Sequence, residues 1–196
     1  MTVTYTKTVG VSAFHQWSDG LAATTCATNT GLGLPHDLRH WLIEAQVDLP
    51  FGFWSLAGQQ APFASFTVVR GRWPRGRTEW LDRLRQKHEL SMLHAEAVGG
   101  YWLADPDLDV HAQWHEIRQR LAQNYAFSDS PLEKFGPDDV ERLRPFARRA
   151  VETWNQLPGG GRVQVRWPGA NDLIVLPADA SVELPSLLFN DRVLRR

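Results

Sequence analysis

Three side chains that can ligate a metal ion recur every four residues in the segment LPHDLRHWLIE, residues 34–44. They are His36, His40 and Glu44. An α-helix advances about 100° per residue, so the three side chains fall within roughly 80° of arc, on one narrow face. Two histidines at positions i and i+4 can direct their imidazole nitrogens at one zinc ion. The spacing therefore predicts a divalent-metal site, zinc being the favoured ion, with Glu44 as a third ligand or as the hydrogen-bond partner of His40.

The residue that follows the first histidine bears on whether such a site could be catalytic. In H-E-x-x-H metalloproteases this position is a glutamate that acts as general base, whereas here it is Asp37. Aspartate is one methylene shorter, so its carboxylate would stop short of a zinc-bound water. If the site is catalytic, we expect metal-assisted hydrolysis in which Asp37 or Glu44 handles the proton.

A second histidine pair with the same spacing occurs in VHAQWHE, residues 110–116. If His111 and His115 converged with the first pair, the site would be rich in histidine and suited to zinc, iron, nickel or copper. The alternative is that neither pair binds metal. In that interpretation the first pair lies on a solvated or hydrogen-bonded helix face, and the second lies at a core boundary and bonds to backbone. The sequence leaves both interpretations open.

A basic turn, VVRGRWPRGR at residues 68–77, supplies a competing functional hypothesis. Arginines can bind phosphate groups, and a neighbouring tryptophan can stack on a base or ring. This hypothesis describes a non-enzymatic interaction module that binds a nucleic acid, another anionic partner or a protein. It predicts that Trp73 is uncovered within one exposed patch and that affinity falls as salt rises. The arginines concerned are Arg70, Arg72, Arg75 and Arg77.

Composition limits the class of protein. The 196 residues carry a net charge of −1, which does not favour a dedicated nucleic-acid or membrane-surface protein. Nine tryptophans predict a well-packed core. Cys26 is the only cysteine, which excludes an internal disulfide and a cysteine-rich zinc site. A polar start without an apolar signal region, and no apolar run long enough for a membrane span, predict a cytoplasmic protein.

Hydrophobic periodicity and turn residues predict the secondary structure. Predicted strands lie at residues 2–9 and, more weakly, 21–28; residues 63–69 form a strand or loop; and a C-terminal hairpin covers 162–167 and 172–176. Helices are predicted at residues 35–47, 49–58, 78–104 with a break at Gly99–Gly100, 105–125, and 136–156 with a kink or restart at Pro145. These elements predict an α+β fold. It is a helix-rich single domain spanning residues 1–196, with a small antiparallel sheet formed from the N- and C-terminal segments.

The histidine segment and the residues that follow it resemble a known pattern. LPHDLRHWLIEAQVDLPFGFW, residues 34–54, is similar to the signature of a family of uncharacterised bacterial proteins. The signature is a Pro-His-Asp-x-x-His helix with a following glutamate, then a Gly-Phe-Trp segment. Residues 153–168 are similar to the C-terminal part of the same proteins. The resemblance implies no activity, but it implies that the histidine face and the Gly-Phe-Trp corner form one structural unit. The matching positions are Pro35, His36, Asp37, His40, Glu44, Gly52, Phe53 and Trp54.

Overall fold

A computed structural model of the protein describes residues 1–7, 11–27, 34–45, 51–101, 109–124, 136–168 and 174–178. Within these residues the chain forms an antiparallel sheet of six strands and five helices. The predicted α+β class, with a sheet built from both ends of the sequence, is confirmed. No helix in the described ranges is long and apolar enough to cross a membrane.

The sheet places the first strand at its centre. Its order is β4-β3-β2-β1-β5-β6, and every neighbouring pair is antiparallel. The strands are β1 Thr2–Lys7, β2 Val11–Gln16, β3 Ala22–Ala27, β4 Thr67–Arg70, β5 Arg162–Arg166 and β6 Ile174–Leu176. Strand β2 was not predicted, because the face that it shares with Val3 and Tyr5 carries Ala13 and His15 and its buried Phe14 lies on the opposite face, so no apolar alternation marks it.

The helices differ from the prediction mainly at their ends and in where the longest one bends. They are α1 His36–Glu44, α2 Phe53–Gly58, α3 Arg77–Tyr101, α4 Val110–Asn124 and α5 Pro137–Gln156. The irregular point of α3 is His88, with φ −130° and ψ 25°, rather than the glycine pair. Helix α5 is one helix with Pro145 inside it. The predicted start of α4 near residue 105 lies outside the described residues.

Helix α1 lies against one face of the sheet and is covered by other elements. Its Leu38 and Trp41 pack in one core cluster with Val3 and Tyr5 of β1, and Ala95 of α3 belongs to the same cluster. Every α1 residue from Leu38 to Glu44 is buried, polar ones included. The helix is therefore an internal element of the fold.

Two indole N–H groups fix the position of α1. Trp41 Nε1 donates to the backbone oxygen of Arg166 at 3.1 Å, which ties the helix to β5. Trp54 Nε1 donates to the backbone oxygen of Asp37 at 2.7 Å, which ties its first turn to α2. A buried tryptophan needs a partner for its N–H, and each of these bonds also sets the orientation of the helix.

The ammonium group of Lys7, at the end of β1, closes the far end of α5. It donates to the backbone oxygens of Trp154, Asn155 and Leu157 at 2.8, 3.1 and 2.8 Å. The last carbonyls of a helix have no partner within the helix and carry partial negative charge, so a cation there is favourable. The contact holds α5 against the sheet.

Candidate metal centre

The two histidines of α1 meet through their Nε2 atoms. These atoms lie 3.3 Å apart, and the ring centroids of His36 and His40 are 4.5 Å apart. A tetrahedral zinc ion with Zn–N bonds of about 2.0–2.1 Å holds two nitrogen ligands about 3.3–3.4 Å from each other. In the metal-free protein the same separation permits a long N–H···N hydrogen bond. The i, i+4 spacing thus brings both rings to one point, as the sequence predicts.

Burial rules out the solvated face that the alternative interpretation allows for this segment. The His40 side chain is 1% exposed and that of Glu44 is also 1% exposed, whereas that of His36 is 28% exposed. Helix α2 contacts the side of α1 that its own sequence pattern marks as polar: the rings of His40 and Phe53 lie 6.2 Å apart, and Glu44 accepts backbone N–H groups of α2. Solvent therefore reaches the histidine pair at His36 but not at His40.

A carboxylate lies beside the second ring nitrogen of each histidine. Glu44 Oε1 is 3.6 Å from His40 Nδ1, and Asp37 Oδ1 is 3.4 Å from His36 Nδ1. Metal-binding histidines commonly donate the N–H of the nitrogen that is not bound to metal to a carboxylate, which fixes the tautomer and the ring. Glu44 lies on the Nδ1 side of His40, at a separation longer than a hydrogen bond, and its role as ligand or as hydrogen-bond partner of His40 stays a prediction.

The other oxygen of Glu44 is held by the start of α2. Oε2 accepts the backbone N–H groups of Trp54 at 2.9 Å and Ser55 at 3.2 Å. Residue 52 must be glycine for this approach, since a Cβ there would overlap the Glu44 carboxylate. Burial raises the pKa of Glu44, against the opposing effects of His40 and of the two amides. The Gly-Phe-Trp corner and the histidine face are thus in direct contact, as the resemblance implies.

The two residues predicted to handle a proton occupy different settings. Glu44 is enclosed and accepts two backbone N–H groups through one oxygen. The Asp37 side chain is 16% exposed and contacts the more accessible histidine, His36. Asp37 is therefore the more accessible of the two carboxylates.

The second histidine pair does not join the first. His111 and His115 are exposed on α4, and His115 Nε2 lies 2.9 Å from the side-chain amide nitrogen of Gln119. In the described part of the chain there is no group of three or more His, Cys, Asp or Glu side chains that could hold a metal ion. The convergence of the two pairs, which the sequence left open, is not seen among the described residues, because α4 exposes His111 and His115 to solvent.

The arginine turn departs from its predicted geometry at Trp73. Arg70, Arg72 and Arg75 are exposed, but Trp73 is half-buried. Its ring packs edge-on against Trp17 at 5.5 Å and stacks on Phe66 at 6.0 Å. Part of the Trp73 indole is thus buried in the core, whereas the interaction hypothesis requires it to be exposed.

Two buried polar residues of the sheet are not marked as site residues by the sequence. Tyr5 and His15 are both fully buried on the face that α1 covers. Burial lowers the pKa of His15 to about 4, and burial together with the charge of Asp37 raises the pKa of Tyr5. A polar or amphipathic residue at an inward position of an alternating strand is the sequence pattern that could indicate such a buried polar group. For His15 this pattern could not be recognised, because strand β2 was not predicted.

Comparison of the chain with protein-family models, with curated proteins and with solved structures gave no match. The likeness of residues 34–54 to an uncharacterised bacterial family therefore stays a prediction. The chemistry open to the site follows from its atoms. Two imidazole nitrogens face one point, and each ring is backed by a carboxylate.

Proposed function

We propose that this protein binds a divalent metal ion, zinc being favoured, through Nε2 of His36 and Nε2 of His40. The observation that carries the proposal is the 3.3 Å separation of these atoms, combined with a carboxylate beside each Nδ1. When Asp37 and Glu44 accept the Nδ1–H protons, both Nε2 atoms present lone pairs to the same point. Two lone pairs at this separation can both coordinate one metal ion.

The coordination that this pair offers is an open one. Catalytic zinc sites keep a position for water or substrate, whereas structural sites are closed by four protein ligands. The exposed edge of His36 gives a ligand oxygen access to the ion. If the site is catalytic, the reaction class is metal-assisted hydrolysis, in which Asp37 or Glu44 would handle the proton; both carboxylates lie beside the Nδ1 atoms, so a proton from the Nε2 side would reach them through the histidine rings.

The decisive experiment is elemental analysis of untagged protein before and after incubation with zinc and dialysis. His36→Ala is the best variant, because the side chain is partly exposed and its loss leaves the core packed. We expect near-stoichiometric zinc in the wild type, and a loss of bound zinc in the variant with an unchanged circular dichroism spectrum.

The second histidine pair provides the matched control. The double variant His111→Ala, His115→Ala removes two imidazoles at identical spacing from an exposed helix, and we expect it to retain the zinc of the wild type. Wild-type protein that stays metal-free after incubation would contradict the proposal. Equal loss from both variants would show that zinc binds to histidines nonspecifically, and would contradict it as well.

A second function, binding of an anionic partner, is supported by the exposure of Arg70 at the end of β4 and of Arg72 and Arg75 in the segment that follows it. Its test is retention on a heparin column, with heparin as a generic polyanion. This function predicts elution at a salt concentration that drops in the double variant Arg72→Ala, Arg75→Ala. Wild-type protein that passes through the column at low salt would exclude it.

A further inference from the structure

Two polar atoms under α1 are buried without a hydrogen-bond partner among the described residues. They are the hydroxyl of Tyr5 and Nδ1 of His15. Both residues are 0% exposed. Buried polar atoms in native proteins are nearly always satisfied by a protein group or by an ordered water, so two such atoms on one surface indicate an occupant.

The strand register places these two residues together. Tyr5 pairs with Ala13 and Val3 pairs with His15 across β1 and β2, so Tyr5 and His15 are diagonal neighbours on one face of the sheet. Diagonal neighbours are separated by roughly 7–8 Å, which aromatic side chains span. On the next strand, the residue opposite His15 is Ala23. The residues paired directly with Tyr5 and His15 on this face are all alanine or valine, so no second polar side chain from a paired strand position reaches the two atoms.

The hydrogen-bonding capacity of the pair defines the occupant. His15 Nε2 is engaged with the Thr25 hydroxyl at 3.2 Å. Nδ1 is then a donor or an acceptor according to the tautomer, and the Tyr5 hydroxyl can also act as either. A group that both donates and accepts, such as an O–H, can satisfy the pair in either tautomer.

The charges near Tyr5 and His15 limit the chemical type of the occupant. The negative charge of Asp37 acts on both Tyr5 and His15, and it disfavours a second anion beside them. Burial favours neutral His15, whose pKa is lowered to about 4, so no cationic imidazolium is available near pH 7 to attract a carboxylate or phosphate. The surroundings suit a neutral hydroxyl.

We propose that Tyr5 and His15 form a buried subsite for one neutral hydroxyl-bearing oxygen, either a resident water molecule or the hydroxyl group of a small ligand. The subsite goes beyond the metal centre and does not depend on it, since its two polar atoms are unpartnered without any ion. The two sites share Asp37, which contacts His36 on one side and acts on Tyr5 and His15 on the other.

A crystal structure of dialysed protein tests the proposal directly. We expect electron density within hydrogen-bonding distance, about 2.7–3.2 Å, of Tyr5 Oη and His15 Nδ1. A single isolated peak identifies a water, and density extending beyond one atom identifies a ligand hydroxyl. Absence of density at that point overturns the proposal, whatever the metal content of the crystal.

The variant Tyr5→Phe tests it in solution, because it removes only the hydroxyl. An occupied subsite predicts that the folded-to-unfolded ratio in urea falls by roughly five-fold, as expected when a satisfied buried hydroxyl is lost. The matched control is Thr25→Val, which deletes a buried hydroxyl whose partner, His15, is visible, and which we expect to reduce the ratio comparably. If Tyr5→Phe is as stable as the wild type or more stable while Thr25→Val is weakened, the hydroxyl is truly unpartnered and the subsite does not exist.

Discussion

Replacing Gly52 with alanine should destabilise the protein, although backbone considerations predict the opposite. Gly52 has φ −64° and ψ 161°, which alanine adopts without strain. A glycine-to-alanine change at such a position ordinarily stabilises a protein by about 0.4–1 kcal/mol. Here the added Cβ would overlap the Glu44 carboxylate. The sign of the change in stability therefore reports whether that carboxylate lies where the structure places it.

The magnitude follows from the bonds that the displaced carboxylate gives up. Glu44 Oε2 accepts the N–H groups of Trp54 and Ser55 in a buried setting. Hydrogen bonds to charged groups contribute about 1.5–3 kcal/mol each, and two bonds to one oxygen are not additive. We expect a loss of about 2–4 kcal/mol in the free energy of unfolding, measured by urea denaturation with an unchanged m-value.

Two controls sharpen the test. At Gly159 an added Cβ would meet nothing within 4 Å, so Gly159→Ala should be neutral or slightly stabilising. In a Glu44→Ala background the collision partner is gone, and the cost of Gly52→Ala should shrink to within about 0.5 kcal/mol of zero. A Gly52→Ala protein as stable as the wild type would refute the proposed contact, and with it the support of His40 by Glu44. If zinc binds as proposed, the same variant should also weaken zinc affinity by about 10–100-fold.

Two further predictions concern His15 and Lys7. Burial lowers the pKa of His15 from 6.5 to about 4, so the unfolded chain takes up this proton first as pH falls. The free energy of unfolding should therefore decline as pH falls from 6.5 to 4, by up to about 3 kcal/mol more than in a His15→Gln variant. Urea unfolding across that pH range measures the decline. An equal dependence of the unfolding free energy on pH in the two proteins would contradict the prediction. Lys7→Met removes a cation that donates to three carbonyls at the end of α5. It should cost about 1–3 kcal/mol, and a midpoint equal to that of the wild type would show that the contact contributes nothing.

The relative position of the two histidines could be predicted from the sequence, but the elements that bury them could not. The angular position of His36 and His40 follows from helical geometry alone, so their meeting was predictable. That His40 and Glu44 are buried was not, because periodicity marks the apolar stripe of a helix and is silent about which elements cover its other side. The donors to Glu44 Oε2 are backbone amides of Trp54 and Ser55, and backbone groups leave no trace in a residue pattern.

Tertiary contacts also explain the bend of α3. Glycine pairs weaken a helix, so Gly99–Gly100 was the reasonable expectation for a break. The irregular residue is His88, whose ring stacks on Phe51 with centroids 4.1 Å apart and planes 17° apart. Phe51 itself has a positive φ of 65°, which is unusual for a bulky residue. A contact between segments so far apart in sequence overrides local propensity, and no local window contains both partners.

The central position of β1 determines when the sheet can form during synthesis of the chain. Its strand partner on one side is β2, which follows at once, but on the other side it is β5, where Thr2 pairs with Arg166. During synthesis β1 leaves the ribosome early, while residues 162–166 emerge only after α1 to α5 have been made. Until then one edge of β1 keeps its backbone groups unpaired, and a nascent chain with an open strand edge is prone to pair with another. The sheet that carries Tyr5 and supports the histidine helix therefore closes late, so a chain truncated before residue 162 should be prone to aggregate.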